Sequence, residues 1–176
     1  AVAKTLSMLD LEPLTGQGEP VSPAELQGRV TLINFWGPWC YYCMKELPHL
    51  VDLHKRLADE SDFQMLLVSC SVQWEPMLPP ALGWTENVPI LKEETAADLE
   101  ARDFNVPTYV DPRGRTRDAF ASIDGWAGYP TTLLLDREGV IRDVWLGFSS
   151  GEERQMQERI LELLNGPDGD ALGRPQ

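Results

Sequence analysis

The chain has 176 residues, enough for one domain that buries about 70% of the surface its unfolded form would expose. Hydrophobic residues make up 43% and charged residues 24%, which excludes wholesale disorder and collagen-like repeats, and no apolar run approaches the ~20 residues of a membrane helix. The formal net charge of −13 would repel a phosphate backbone, so we expect no nucleic-acid partner.

The first elements predicted along the chain are a short hairpin and a buried strand. A loosely alternating run at residues 6–14, followed by a turn rich in Gly and Pro, predicts an N-terminal hairpin. Ser22 and Pro23 fit the cap and the first position of a single helical turn. The continuous apolar run at residues 30–36, rich in β-branched side chains, is typical of a strand buried on both faces of a sheet.

An amphipathic helix is predicted over residues 40–58, because apolar side chains recur along one line at 100° per residue. Pro48 lies inside this helix and should kink it, since the backbone loses a donor there. A second buried strand is predicted over residues 63–69. Strand, helix and strand at this spacing predict a right-handed βαβ unit with parallel strands.

The second half of the chain begins with a long irregular segment. Residues 73–88 carry three prolines and two tryptophans without a consistent period, which predicts a long loop inserted in the domain. The elements predicted after it are a helix at residues 90–103 and a short strand at 108–110. A hairpin of two strands at 131–135 and 140–146 and a last amphipathic helix at 151–164 follow. The tail at residues 166–176 is rich in Gly, Pro and Asp and is predicted to be disordered. We therefore expect one domain over residues 1–165.

The motif that carries chemistry is Trp39-Cys40-Tyr41-Tyr42-Cys43, where a strand gives way to a helix. Cys40 falls at the helix N-terminus, where unpaired backbone N–H groups and the helix dipole favour a nucleophilic thiolate. Cys43 follows one turn later, near enough to form a disulfide with Cys40. The pair can therefore cycle between dithiol and disulfide, with Cys40 attacking a partner's disulfide and Cys43 resolving the mixed disulfide.

A zinc site is a rival interpretation, because two histidines follow the cysteine pair on the same helix. On that helix His49 projects about 240° away from Cys43, and His54 lies about 16 Å further along the axis. Four ligands cannot meet at one metal in this way, so we predict no metal. A redox-inactive structural pair remains an alternative.

Two segments resemble the thioredoxin superfamily, and specifically the TlpA/ResA-like thiol–disulfide oxidoreductases. In residues 34–48, Pro48 stands five residues after the second cysteine, like the kinking proline of the family. Residues 128–136 resemble the cis-proline loop, strand and Asp-containing hairpin turn of the family. Pro107 lies in a similar Val-Pro-Thr segment, but only Pro130 is followed by the strand, hairpin and closing helix that this fold requires.

The resemblance covers residues 11–164, and it implies an α/β, thioredoxin-like three-layer fold: a central mixed β-sheet flanked by helices, with an N-terminal hairpin extension. It also implies protein thiol–disulfide exchange, most often as a reductant. Members of the family are typically exported, are often reduced by a membrane thiol carrier, and in some cases keep apocytochrome c cysteines reduced. We therefore expect protein substrates with cysteine pairs, no cofactor, a monomer, and a periplasmic or outward-facing, membrane-anchored location.

The start of the chain shows no signal peptide, because Ala1 opens directly into a polar segment. A signal that had been removed would leave the same sequence, so this observation agrees with an exported protein as well as with any other. The three cysteines are too few for a disulfide framework.

The position of the proton carrier departs from thioredoxin itself. Thioredoxin has a buried Asp where this chain has Asn34. TlpA/ResA-like proteins usually have Asn there too, and some are thought to use a Glu three residues after the second cysteine. Glu46 occupies that place, and we predict that it exchanges a proton with Cys43. A solvated helix carboxylate is the alternative.

An aromatic rim is predicted around the cysteine pair. Trp39 precedes the first cysteine and Tyr129 precedes the cis-proline, so both should form an apolar edge that binds an extended peptide segment beside Pro130. Tyr41 and Tyr42 are predicted to take part in the same substrate contact. Family members often have a proline between the cysteines, so this tyrosine pair leaves the redox potential open.

The remaining candidate residues outside the motif are less specific indicators of a function. Cys70 is predicted to be a buried small hydrophobe, with a third redox cysteine as the alternative. His54 is expected to pack in the core and His49 to face solvent. Trp74 and Trp84, in the long loop, would either extend the rim or anchor the loop.

Two other functions stay open. A peroxide-reducing enzyme of peroxiredoxin type would carry a lone peroxidatic cysteine in a setting rich in Pro and Thr, which differs from the motif at residues 39–43. A redox-idle binding module would use the aromatic rim and the loop at residues 73–88 to hold a partner. In that case serine at both cysteines would leave partner binding intact.

Overall fold

The structure, a computed structural model, describes residues 4–14, 16–71 and 88–166. Its strands are β1 (Glu12–Pro13), β2 (Val30–Trp36), β3 (Phe63–Ser69), β4 (Thr108–Val110), β5 (Thr131–Leu135) and β6 (Ile141–Leu146). Its α-helices are α1 (Tyr41–Arg56), α2 (Val88–Ala101), α3 (Arg115–Asp124) and α4 (Glu152–Leu164), and a single 3-10 turn spans Pro23–Leu26. Most of the predicted elements are present, with ends shifted by one or two residues.

The six strands form one mixed sheet in the order β1-β4-β3-β2-β5-β6. β2 is parallel to β3, and β3 is parallel to β4, as predicted for the βαβ unit around α1. β5 runs antiparallel to both β2 and β6, and these last two strands form the predicted hairpin. Every residue of β2 is buried, as predicted for a strand covered on both faces, and every residue of β5 is buried as well.

Each face of the sheet has its own hydrophobic core, because side chains of a strand alternate between faces. On one face, α1 and α4 cover Leu32 and Trp36 of β2. On the other face, α3 and the N-terminal segment cover Ile33 and Phe35. This arrangement of helices, sheet and helix confirms the predicted thioredoxin-like three-layer architecture.

The N-terminal extension is simpler than a full hairpin. Leu11 and Val21 form one isolated antiparallel bridge, with backbone N–H to O distances of 3.2 and 2.9 Å. The two residues of β1 then pair with Tyr109 and Val110 at the edge of the sheet. The segment is thus joined to the main sheet as an edge strand rather than standing apart from it.

Helix α3 is absent from the predicted elements. The turn predicted at residues 111–114 is present, with a hydrogen bond from the Gly114 N–H to the Asp111 carbonyl oxygen at 3.1 Å, but it leads directly into a helix. Two of the three side chains that α3 buries are polar, Thr116 and Arg117, and only Phe120 is apolar. A search for apolar periodicity therefore misses this helix.

Parts of three predictions fall outside the described residues: the loop at residues 73–88 apart from Val88, its two tryptophans, and the tail beyond Gly166. Within the described ranges, no helix is both long enough and apolar enough to cross a membrane. The boundaries of the predicted domain stay predictions.

Candidate active site

Cys40 and Cys43 form a disulfide at the start of α1, with their Cα atoms 5.2 Å apart. Cys40 is the N-cap residue of this helix, and its Sγ accepts a hydrogen bond from the Cys43 N–H at 3.2 Å. Cys40 is 7% exposed and Cys43 only 1%. The sulfur at the helix end is therefore the one that a partner can reach first.

The turn between β2 and α1 is held by an indole. The Trp39 Nε1–H donates a hydrogen bond to the Cys70 carbonyl oxygen at 2.8 Å, across the end of the neighbouring strand β3. A Cβ atom at Gly37 would collide with the same indole, and it would lie 2.8 Å from the same carbonyl oxygen. Only glycine at position 37 leaves room for this close approach. The hydrogen bond to Cys70 in turn fixes Trp39, the residue before Cys40.

Pro130 lies beside this turn. The Tyr129–Pro130 peptide bond is cis, and Pro107 forms no cis bond, as the comparison of the two sequence segments predicted. The antiparallel pairing of Phe35 with Thr131 carries the preceding residue, Pro130, to the end of β2 from which the cysteine motif begins. The sheet register therefore brings two segments separated by about ninety residues to one site.

The predicted aromatic rim divides into two pairs of rings. The Trp39 and Tyr129 rings meet edge to face with centroids 5.2 Å apart. Tyr41 and Tyr42 form a second pair at 5.3 Å, with the Lys45 Nζ 4.9 Å from the Tyr41 centroid. Trp39, Tyr41 and Tyr42 are exposed, whereas Tyr129 is half-buried. Exposed aromatic side chains grouped in this way are typical of a binding surface.

Glu46 lies in the interior, 3% exposed, and is not a solvated helix carboxylate. Its Oε2 accepts a hydrogen bond from the Asn34 Nδ2 at 3.1 Å, and the same amide donates to the Thr132 Oγ1 at 2.8 Å. Burial raises the pKa of Glu46 to about 7, against the opposing effect of the Asn34 hydrogen bond, and the charge of Glu152 adds to the increase. A carboxyl group of this kind can take and release a proton near neutral pH.

A small cleft between α1 and the start of α4 adjoins Glu46. His49 and Phe148 line this cleft. Their rings stack with centroids 5.6 Å apart, and the His49 Nδ1 lies 3.8 Å from the Glu153 carboxylate. The described residues contain no group of three or more His, Cys, Asp or Glu side chains placed to hold a metal ion.

Cys70 fits its predicted role as a buried small side chain. Its Sγ lies 3.6 Å from the Val68 carbonyl oxygen, and burial raises the pKa of the thiol to about 12. At neutral pH this group is a thiol and not a thiolate, so it lacks the nucleophilic form that a redox cysteine needs.

A buried polar group behind Tyr129 escaped the sequence analysis. Arg117 of α3 is 2% exposed, and its Nη1 donates a hydrogen bond to the Tyr129 hydroxyl oxygen at 2.8 Å. Asp111 accepts hydrogen bonds from the backbone N–H groups of Thr116 and Arg117 at 3.3 and 3.0 Å. In the sequence, only the Asp-Pro-Arg-Gly turn at residues 111–114 pointed to this cluster. Arg117 itself gave no such indication, because arginine side chains are usually exposed.

A disulfide at the N-terminus of a helix, next to a cis-proline on a thioredoxin-like sheet, defines a thiol–disulfide oxidoreductase. The family model described as AhpC/TSA matches residues 3–144, and the chain belongs to this family. Both the predicted fold and the predicted enzyme class are confirmed.

Curated relatives carry names of the same class. The chain is similar to the thioredoxin-like protein YneN of Bacillus subtilis, with 26% identity over 148 residues, 84% of this chain and 74% of the relative. It is 27% identical to the thiol-disulfide oxidoreductase ResA of Halalkalibacterium halodurans, over 84% of this chain and 69% of the relative. It is 24% identical to the thiol:disulfide interchange protein DsbE of Pseudomonas aeruginosa, over 95% and 79%.

Solved structures agree on the fold. A thiol:disulfide interchange protein of the thioredoxin family from Chlorobium tepidum superposes with a TM-score of 0.69 at 21% identity, over 94% of this chain and 99% of that one. StoA from Bacillus subtilis superposes with a TM-score of 0.64 at 18% identity, over 88% of this chain and 97% of that one.

Proposed function

We propose that this protein reduces disulfides of proteins outside the cytoplasm through the Cys40–Cys43 pair. The observation that carries this proposal is the disulfide itself, with its more exposed sulfur at the N-terminus of α1 beside Pro130. The names ResA and DsbE of the relatives support exchange with thiols and disulfides. The resemblance to TlpA/ResA-like proteins supports the reducing direction, the exported location and a monomer.

The reaction proceeds in two displacement steps. In the reduced protein the Cys40 thiolate attacks one sulfur of the substrate disulfide, forms a mixed disulfide and releases one substrate thiolate. The Cys43 thiolate then attacks the Cys40 sulfur, closes the Cys40–Cys43 disulfide and releases the second substrate thiolate. Two electrons pass to the substrate, and a dithiol donor must return them. The donor proposed here is a membrane thiol carrier.

Glu46 is the proposed proton acceptor for Cys43. It follows Cys43 by three positions on α1, which places both side chains along one side of the helix. The Glu46 Oε2 is occupied by Asn34, whereas its buried Oε1 has no hydrogen-bond partner among the described residues. This free oxygen can receive the proton that the Cys43 thiol loses before it attacks Cys40.

The proposed substrate contact is the edge beside Pro130. An extended peptide can pair its backbone there, while its side chains pack on Trp39 and Tyr129. Tyr41 and Tyr42 lie exposed at the start of α1, where they can contact the same partner.

The test of the proposed function is the reduction potential of the pair. Tryptophan fluorescence of the protein, equilibrated in thiol/disulfide buffers, should follow a two-electron curve with a potential below about −230 mV. A value near −120 to −180 mV would reverse the proposed direction of electron flow. Cys70→Ala is the matched control and should leave the curve unchanged. If no two-electron transition appears, the pair is idle and the binding-module alternative replaces this proposal.

Peroxide reduction is the second candidate function, and the match to the AhpC/TSA family favours it. The pairing of Cys40 with Cys43 in one disulfide differs from a lone peroxidatic cysteine. Reduced protein should therefore consume hydrogen peroxide more slowly than it reduces insulin at equal concentration. The opposite order would favour the peroxide-reducing function.

A further inference from the structure

We propose that Arg117 is a positioning residue of the substrate face: its buried guanidinium holds the Tyr129 hydroxyl, and thereby the Tyr129 ring against Trp39 beside the disulfide. This inference rests on the proposed function, in which the Trp39–Tyr129 pair binds the substrate peptide.

The burial of Arg117 calls for a specific role, since a cation removed from water costs free energy that only good partners offset. The side chain is among the largest that are fully buried in the described part of the chain. Its partners include the Tyr129 hydroxyl at 2.8 Å and the face of the Trp126 ring, 5.9 Å from the Cζ atom. Both partners lie in the segment that leads into Pro130.

The loop before α3 is built around this guanidinium. Gly114 has a φ of +64°, and a Cβ atom there would lie 2.9 Å from the Arg117 Nη2. Asp111 accepts the Arg117 N–H at 3.0 Å and holds the first turn of the helix in place. The backbone thus leaves room for Arg117 and fixes the origin of its side chain.

A continuous series of contacts leads from Arg117 to the cysteine motif. The Tyr129 ring lies between the Trp126 and Trp39 rings, with centroid distances of 5.0 and 5.2 Å and edge-to-face geometry on both sides. Trp39 is held at its far end by the hydrogen bond to Cys70 and is followed directly by Cys40. The Tyr129 hydroxyl accepts from Arg117 and also lies next to the Cys70 thiol, so the Arg117 contact helps to set how far the ring reaches toward Trp39.

The chemistry of this face indicates which substrates depend on it. Trp39 and Tyr129 offer flat, uncharged rings, which suit an extended peptide with apolar side chains next to its disulfide. A small disulfide needs only the Cys40 sulfur. The effect of Arg117 should therefore fall on the KM for protein substrates and not on the chemistry of the pair.

The experiment compares Arg117→Met, Tyr129→Phe and the double variant with wild-type protein. Arg115→Met is the matched control, because Arg115 lies on the same helix and is exposed. Each protein is assayed with insulin and with the small disulfide DTNB, and the reduction potential of each is measured. Tyr129→Phe keeps the ring and removes only the hydroxyl, so it tests the contact even if Arg117→Met does not fold.

Arg117→Met and Tyr129→Phe should each raise the KM for insulin about tenfold, as expected for the loss of a hydrogen bond to a charged group. In both variants the loss measured with DTNB should be smaller than the loss measured with insulin, and the reduction potential of Arg117→Met should stay at the wild-type value. The double variant should be no worse than Arg117→Met alone, because both changes remove the same contact. An unchanged KM for insulin, an equal loss with DTNB, or the same effect in Arg115→Met would overturn the positioning role.

A second readout separates this inference from the proposed function. The indole N–H signal of Trp39, assigned by NMR, should shift in both variants and not in Arg115→Met. Wild-type protein that leaves insulin unreduced would overturn the proposed function, and the Trp39 signal then decides the positioning role. An unshifted signal would overturn it.

Discussion

The two sulfurs of the disulfide occupy different places on α1. Cys40 caps the helix beside the exposed Trp39, whereas Cys43 lies one turn inside and is almost fully enclosed. A substrate disulfide can therefore reach the Cys40 sulfur more readily than the Cys43 sulfur, which the helix covers. The order of attack follows from this difference.

Cys43→Ser should trap substrates as mixed disulfides at Cys40, because the resolving thiol is gone while the nucleophile remains. Cys40→Ser should trap none. Incubation of both variants with oxidised insulin, followed by non-reducing electrophoresis, measures the trapped species. Trapping by Cys40→Ser alone would assign the nucleophile to Cys43.

Glu46 should make the stability of the oxidised protein depend on pH. Burial raises its pKa from 4.5 to about 7, so the folded state binds this proton more tightly than the unfolded state. The free energy of unfolding should therefore fall as pH rises from about 4.5 to 7. Glu46→Gln should remove this decrease and be about 3 kcal/mol more stable than wild type at pH 8.

Urea unfolding at several pH values measures the pH effect of Glu46, and Asp52→Asn is the control, because Asp52 is an exposed carboxylate of the same helix. Asp52→Asn should follow the wild-type curve. Equal stability of Glu46→Gln and wild type at pH 8 would contradict the burial of a carboxylate at position 46.

At the scale of elements, apolar pattern decides which predictions succeed. Five of the seven residues are apolar in each of β2 and β3, and nearly all residues of both strands are buried, so an apolar run identifies them. α3 buries Thr116 and Arg117, and its pattern looks like that of an exposed segment. The burial of Glu46 was equally hidden, because its partner Asn34 lies on β2, and Thr132, to which Asn34 also donates, lies on a strand distant in sequence. The cysteine motif and the cis-proline were found because their residue types are specific at short range.

The start of α3 gives a prediction at this scale. Asp111 accepts two backbone N–H groups of the first turn and lies near the buried charge of Arg117. Asp111→Ala should lower the free energy of unfolding by about 1–2 kcal/mol, as the loss of a helix cap does. Asp118→Ala, also acidic and in the first turn but exposed, should cost less. Chemical denaturation of both variants at pH 7 measures the difference, and equal losses would refute the capping role.

At the scale of the whole molecule, the last described contacts that join the C-terminal part of the chain to the domain lie at the end of α4. The Leu164 carbonyl oxygen accepts from the Arg137 Nη2 at 3.1 Å, and the Asn165 N–H donates to the Leu161 carbonyl oxygen at 2.9 Å. Among the described residues, the last member of either core is Leu164. A chain that ends at residue 165 keeps all of these contacts.

The domain limit predicted from sequence can be tested by truncation. A protein of residues 1–165 should unfold at the same temperature as the 176-residue chain and keep its reduction potential. Removal of residues 157–176, which takes away Ile160 and Leu164 of the core, is the contrasting deletion and should prevent folding. A lower unfolding temperature for residues 1–165 would move the domain boundary toward the C-terminus.

The central place of β2 has a consequence for synthesis. Its seven buried residues are synthesised before the strand that covers one of its edges, β5, which follows about a hundred residues later. Until then an apolar, unpaired strand edge is available to other chains. Pairing across such a sequence distance is slow to form. Nascent or interrupted chains that stop before β5 are therefore the species of this protein most prone to aggregate.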